Sequence, residues 1–239
     1  MKTRSTGMFR LVTIDPGEHT AAVILLQGGK GRIGVKDRYI KGGKKNFLIH
    51  HREDFADKGL LGGIADAPKD HYKGEAMRAD RFRLTEHHAD DLAAAIRRLR
   101  RQTDKPVWLV GTSRGSISAV NAATRLSGGD APDGLVLTAS VVIDAGTGWP
   151  HLFDMDMSGI AVPVLIVHHE SDDCPSSPYS EAIRLKDAFP KSPAVGFIPY
   201  TGGEEGDFGN RCNRLSPHGF LGQEKEVVDD IVGWINEHS

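Results

Sequence analysis

Val107-Trp108-Leu109-Val110-Gly111-Thr112-Ser113-Arg114-Gly115 joins a short apolar run, opened by Pro106, to a segment of small residues that continues to Arg125. Val107 to Val110 has the continuous apolar character of a strand buried on both faces, and Gly115 to Arg125 reads as a helix. Between them, Gly111-Thr112-Ser113-Arg114-Gly115 fits the pentapeptide Gly-x-Ser-x-Gly. With 28 Gly in the chain, such a match arises by chance in about one chain in five of this length. The flanking strand and helix raise its weight. A sharp strand-to-helix turn lifts a serine hydroxyl to the top of a sheet and sets the N–H of Arg114 beside it. There a helix N-terminus favours developing negative charge. The competing reading is an ordinary turn with a capping serine.

Outward from this turn, apolar runs alternate with helical patterns. Thr20 to Leu26 reads as a buried strand ending at Gly28-Gly29, and Gly59 to Ala65 as a weaker one broken by Gly62 and Gly63. Thr85 to Arg101 carries Ala89, Leu92, Ala93, Ile96 and Leu99 on one helical stripe. Leu135 to Ile143 and Val164 to Val167 are further apolar runs, Glu181 to Ala188 a helix stopped by Pro190, and Val195 to Tyr200 a late strand. The chain closes on a helix with Val227, Val228, Ile231, Val232 and Ile235 on one side. This alternation predicts an α/β fold, a mostly parallel central sheet with helices on both faces, and residues 1–239 read as a single domain. Ligands of such a sheet bind beyond the carboxyl ends of its strands.

Composition removes several classes of partner. Thirty Lys plus Arg against 32 Asp plus Glu give a formal charge of −2, so no global field draws nucleic acid or an anionic membrane. The longest apolar runs, Ala21 to Leu26 and Val162 to Val167, fall far short of the roughly 18 residues of a membrane span. Residues 1–7 are basic without an apolar segment behind them, which predicts no signal peptide as written, although a processed chain would look the same.

A serine of ordinary acidity needs a base and an orienting acid. After Val164 to Val167 stands His168-His169-Glu170-Ser171-Asp172-Asp173, and Ser216-Pro217-His218-Gly219-Phe220 precedes the last helix. For the base, only His218 of the 11 histidines sits in a glycine-bearing loop before a final amphipathic helix. For the acid, Asp172, the adjacent Asp173 and Asp144 at the end of another apolar run are the candidates.

On these residues the chain resembles the α/β hydrolases, and among them small, lid-poor bacterial serine esterases. The likeness runs from Thr20 to Ile235. It rests on Leu25-Leu26-Gln27-Gly28-Gly29 after the early strand, Asn46-Phe47-Leu48 opening a helix, the stretch around Ser113, His168-His169 ahead of Asp172, and His218-Gly219-Phe220. The order Ser113, Asp172, His218 is the family's order of nucleophile, acid and base. The resemblance implies an oxyanion hole from the N–H groups of Arg114 and Gly29, although Gln27-Gly28 stands where many members have His-Gly. It implies hydrolysis of a small-molecule carboxylic ester or thioester through an acyl-enzyme, with no cofactor and no metal. Between Asp144 and Val162 there is too little chain for a helical lid, which favours short or exposed acyl groups. Other chemistry on the same fold (a perhydrolase, an amidase, a carbon–carbon bond hydrolase) and a non-catalytic ligand-binding protein are the alternatives.

Three further signals stand in the sequence. Gly29-Lys30-Gly31-Arg32-Ile33-Gly34 matches the dinucleotide fingerprint, but Val35 to Gly43 offers no helix to receive a pyrophosphate, so the glycines fit a flexible oxyanion loop better. The pairs His50-His51, His87-His88 and His168-His169 lack the spacing of a metal signature. Cys174 and Cys212, the only cysteines, flank the acid and the base, so a working triad brings them near enough to bridge. A bridge would place the chain in the periplasm or outside the cell with a leader removed; two free thiols would place it in the cytoplasm. Oligomeric state is not legible.

Overall fold

Strand runs that are apolar at every position require cover on both faces, and they receive it. The structure, a computed structural model, describes residues 10–36, 39–43, 45–73, 77, 81–206 and 209–239. Residues 1–7, the basic stretch without an apolar segment behind it, and Asp37 and Arg38 within the Val35 to Gly43 stretch lie outside the described residues. The strands of the main sheet are β1 (Leu11–Ile14), β2 (Ala21–Leu26), β5 (Leu60–Ala65), β6 (Val107–Thr112), β7 (Gly134–Thr138), β8 (Val164–His169) and β9 (Val195–Tyr200); β3 (Val35–Lys36) and β4 (Tyr39–Ile40) form a separate short ribbon. The sheet order is β1-β5-β2-β6-β7-β8-β9, with β1 antiparallel to β5 and the other pairs parallel.

The two-residue period of a strand splits each run between two cores. Ala22, Ile24, Val107, Leu109, Leu135, Leu137 and Ile166 face one cluster, together with α3 (Glu86–Arg100) and α4 (Arg114–Arg125). Ala21, Val23, Leu25, Trp108, Val110, Val136 and Leu165 face the other, with α1 (Phe47–His50), α2 (Arg52–Asp57) and α6 (Glu224–Glu237). Thr85 caps α3 by accepting the His88 N–H at 3.2 Å, a contact of about 1 kcal/mol. Gly134 leaves the room that Trp108 fills: a Cβ there would lie 2.3 Å from the indole.

The register aligns the strand ends that matter. Leu26 pairs with Gly111 and Thr112 with Thr138, so the residues after β2, β6 and β7 emerge side by side at the carboxyl end of the sheet.

Three sequence expectations change, the first at Gly62 and Gly63, which β5 runs through unbroken from Leu60 to Ala65. The run Leu135 to Ile143 is a strand only as far as Thr138; Ala139 turns out at φ 42, and Val141 and Val142 bury against the α3–α4 face as a loop. Glu181 to Ala188 is not one α-helix: α5 (Tyr179–Ala182) passes into a 3-10 turn, Ile183–Asp187. The antiparallel edge β1 was not anticipated. Between β7 and β8 the chain forms a single 3-10 turn, Leu152–Asp154, so no helical lid covers the carboxyl end of the sheet.

Candidate active site

Ser113 occupies the turn between β6 and α4 with φ 53 and ψ −125, a backbone conformation that a side chain makes costly. The surroundings hold it there. Its N–H donates to Thr138 O at 2.9 Å, and the Ser116 hydroxyl donates to its carbonyl at 2.6 Å. The flanking glycines are required by contact rather than by φ. A Cβ on Gly111 would lie 2.5 Å from Gly115 O, and one on Gly115 only 1.9 Å from Leu26 O. The pentapeptide is therefore the sequence that lets β6 turn into α4 while α4 presses on the end of β2. Arg114 opens α4, where first-turn N–H groups have no partner within the helix.

Asp172 follows β8 in a tight turn, its N–H donating to His169 O at 3.0 Å. Its carboxylate accepts the Cys174 N–H at 3.0 Å on Oδ1 and lies 2.8 Å from His218 Nδ1 on Oδ2. A carboxylate only accepts, so His218 carries its proton on Nδ1 and presents the lone pair of Nε2. That nitrogen is buried and makes no hydrogen bond among the described residues, and His218 lines the same cleft as Ser113. The rivals lie elsewhere. Asp173 is exposed and pairs with Arg211 at 3.4 Å. Asp144 is bound by the hydroxyl and N–H of Thr147 and the N–H of Trp149, which hold its carboxyl below the usual range.

His218 is set by the loop that carries it. It stands in a 3-10 turn, Pro217–Gly219, closed by Phe220 at φ 58. Phe220 is fully buried against Phe47 and Tyr200. Gly219 crosses the Arg214 backbone so closely that a Cβ would lie 2.0 Å from Arg214 Cα. Cys174 and Cys212 are bridged, with Cα atoms 4.9 Å apart, which ties the acid turn to the histidine loop.

His168 adds a second imidazole beside the acid. Its Nε2 is 2.8 Å from Ser177 O, which only accepts, so the proton sits on Nε2; the same atom is 3.4 Å from Asp172 Oδ2. Burial holds its pKa below the ordinary value, against a smaller opposing pull from Asp172.

The loop after β2 brings Gly28 against the serine: a Cβ on Gly28 would lie 2.8 Å from Ser113 Cβ. Gly29 lines the cleft at φ 53. This loop is not the flexible element that its glycines suggested. The buried guanidinium of Arg83 donates to Gln27 O at 3.1 Å, Gly29 O at 3.3 Å, Met77 O at 3.1 Å and Ser118 Oγ at 2.5 Å. Farther along, Asp66, 2% exposed, accepts the N–H groups of Ile33 at 2.7 Å and Val35 at 3.0 Å. Sequence reasoning missed both residues. A lone Arg or Asp is usually a surface residue, and nothing in the local pattern marks these two as buried.

After Gly29 to Gly34 the chain enters the β3–β4 ribbon, not a helix. No group of three or more His, Cys, Asp or Glu able to hold a metal ion occurs among the described residues, and no helix there is long and apolar enough to cross a membrane.

No family model matches the chain, and neither does any curated protein sequence. Solved structures do match. Est1E of Butyrivibrio proteoclasticus, solved with ferulic acid, aligns over 98% of this chain and 96% of its own at a TM-score of 0.64 and 14% identity. A cold-adapted esterase from an Arctic intertidal metagenomic library aligns over 98% and 95% at 0.61 and 13%. A lidless α/β serine hydrolase from Xanthomonas campestris aligns over 96% and 86% at 0.56 and 14%. At these identities the likeness shows the fold: the chain has the α/β-hydrolase fold without a lid.

Proposed function

We propose that this α/β-hydrolase-fold protein is a serine hydrolase that cleaves carboxylic esters, thioesters included, of small or exposed acyl groups. The observation that carries the reading is the 2.8 Å contact of His218 Nδ1 with Asp172, which leaves Nε2 as an acceptor in the cleft of Ser113. Ser113 Oγ attacks the carbonyl carbon while His218 Nε2 takes the hydroxyl proton, and the N–H groups of Arg114 and Gly29 receive the oxyanion. Collapse breaks the bond to the leaving oxygen or sulfur, which departs with the proton from His218. Water then attacks the acyl-enzyme, His218 takes its proton and returns it to Ser113, and the carboxylic acid leaves. Asp172 holds the imidazole tautomer and stabilises its charged form. Neighbours of the same fold described as esterases agree with this chemistry.

Kinetics on a short-chain aryl ester test it. Ser113→Ala lowers turnover by about three to six powers of ten, and Asp172→Asn by up to about four, with Asp173→Asn close to wild type. Wild-type turnover in Ser113→Ala sinks the nucleophile assignment; a large loss confined to Asp173→Asn moves the acid by one residue.

A further inference from the structure

The cleft at Ser113 opens into two lobes. One, of about 470 Å³, contains His218 and is bordered by Lys41 and Arg214; the other, of about 560 Å³, runs past Arg114, Val141 and Trp149. Lys30 and Lys45 border both. Among the described residues, the lining of these lobes has five Lys or Arg side chains and no Asp or Glu. In a chain of net charge −2, that is a local excess of positive charge in a concave site, where the field is focused rather than spread.

The cations differ in how far they are committed. Arg114 donates to Pro150 O at 3.2 Å and stacks over Trp149. Arg214 lies 3.6 Å from Glu224 yet still helps to lower the pKa of His50, after burial. Lys41 and Lys45 are exposed and enter no ion pair among the described residues. The leaving group must lie where His218 can hand it a proton, in the lobe that Lys41, Lys45 and Arg214 border.

We propose that the substrate carries an anionic group, carboxylate or phosphate, on its leaving alcohol or thiol, seated among Lys41, Lys45 and Arg214. This rests on the serine-hydrolase reading above and specifies its substrate class. The charge contributes to capture and orientation, and the acyl group keeps to the lobe of Val141 and Trp149.

The test compares three acetyl esters: 4-acetoxybenzoate, 4-acetoxyphenyl phosphate and the neutral methyl 4-acetoxybenzoate. The neutral ester has the better leaving group, so chemistry alone favours it. The expected result is a kcat/KM for one anionic ester at least about tenfold above the neutral one at low ionic strength, shrinking as salt is raised. The favoured anion tells carboxylate from phosphate. Replacing Lys41→Gln and Lys45→Gln together brings the ratio toward one. A ratio of one or less, or a ratio that salt and the double variant leave unchanged, overturns the inference. So does fluorophosphonate labelling of Ser113 without hydrolysis of any of the three esters. In the first two cases the hydrolase reading stands, and in the third only the reactivity of Ser113 does. Neither labelling nor hydrolysis overturns both.

Discussion

Arg83 shows how much one side chain fixes in the loop beside Ser113. Two of its four hydrogen bonds hold the carbonyls of Gln27 and Gly29, the peptide groups on either side of the one that carries the Gly29 N–H. Oxyanion donors act through placement before reaction, and losing one costs about two to three powers of ten. Arg83→Ala is expected to lower kcat about ten- to a hundredfold with KM changed less than about threefold, and to slow fluorophosphonate labelling in parallel. Unchanged kcat in a variant that merely melts earlier would leave Arg83 a structural residue only. His168 gives a pH dependence. Asp172, His218 and His169 surround it, yet burial dominates and depresses its pKa below 6.5. The unfolded chain therefore binds the proton first. Its contribution to stability is complete above 6.5 and is lost as pH falls through that value toward the folded pKa. Urea denaturation from about pH 7.5 to about pH 5 should show wild type losing more stability than His168→Gln across that interval; equal losses would contradict the assignment.

At the scale of elements, the β6–α4 turn is the site's mechanical centre. Gly115→Ala places a methyl 1.9 Å from Leu26 O, so α4 must move off β2 and carry Ser113 with it. The expected cost is at least about 2 kcal/mol with loss of turnover, while Gly129→Ala, which meets nothing within 4 Å, stays within about 0.5 kcal/mol. Denaturant midpoints of the two variants check this, and equal midpoints would contradict it. These same glycines made the turn legible in the sequence, because close contact forbids other residues. β2, β6, β8 and α3 were legible through unbroken apolar runs or a clean helical stripe. β1 was not: four half-buried residues at a sheet edge give no distinct period. The run to Ile143 misled because apolarity reports burial, and Val141 and Val142 are buried in a loop. Arg83 and Asp66 left no trace, since their function depends on partners 31 to 56 residues away.

For the whole molecule, the strand order and the loop before α6 gather Gln27, Ser113, Asp172 and His218 at the carboxyl end of the sheet from segments nearly 200 residues apart, and the disulfide locks two of those segments together. Cys174 and Cys212 are 38 residues apart, and closing such a loop stabilises the fold by about 4 kcal/mol in the chain-entropy model. The Cys174→Ser, Cys212→Ser double variant is expected to unfold at lower denaturant by up to that amount and to lose kcat, because the turn of Asp172 is freed from the loop of His218. Wild-type kcat in that variant would show that the packing of Phe220 against Phe47 and Tyr200 holds the loop without the bridge. The measurement that bears most directly on the whole account is mass-spectrometric trapping of the acyl-enzyme. Wild type quenched during turnover of 4-nitrophenyl acetate should carry one acetyl group on the peptide containing Ser113, absent in Ser113→Ala and formed far more slowly in His218→Ala. Acetylation elsewhere, or an undiminished acyl burst in Ser113→Ala, would contradict it.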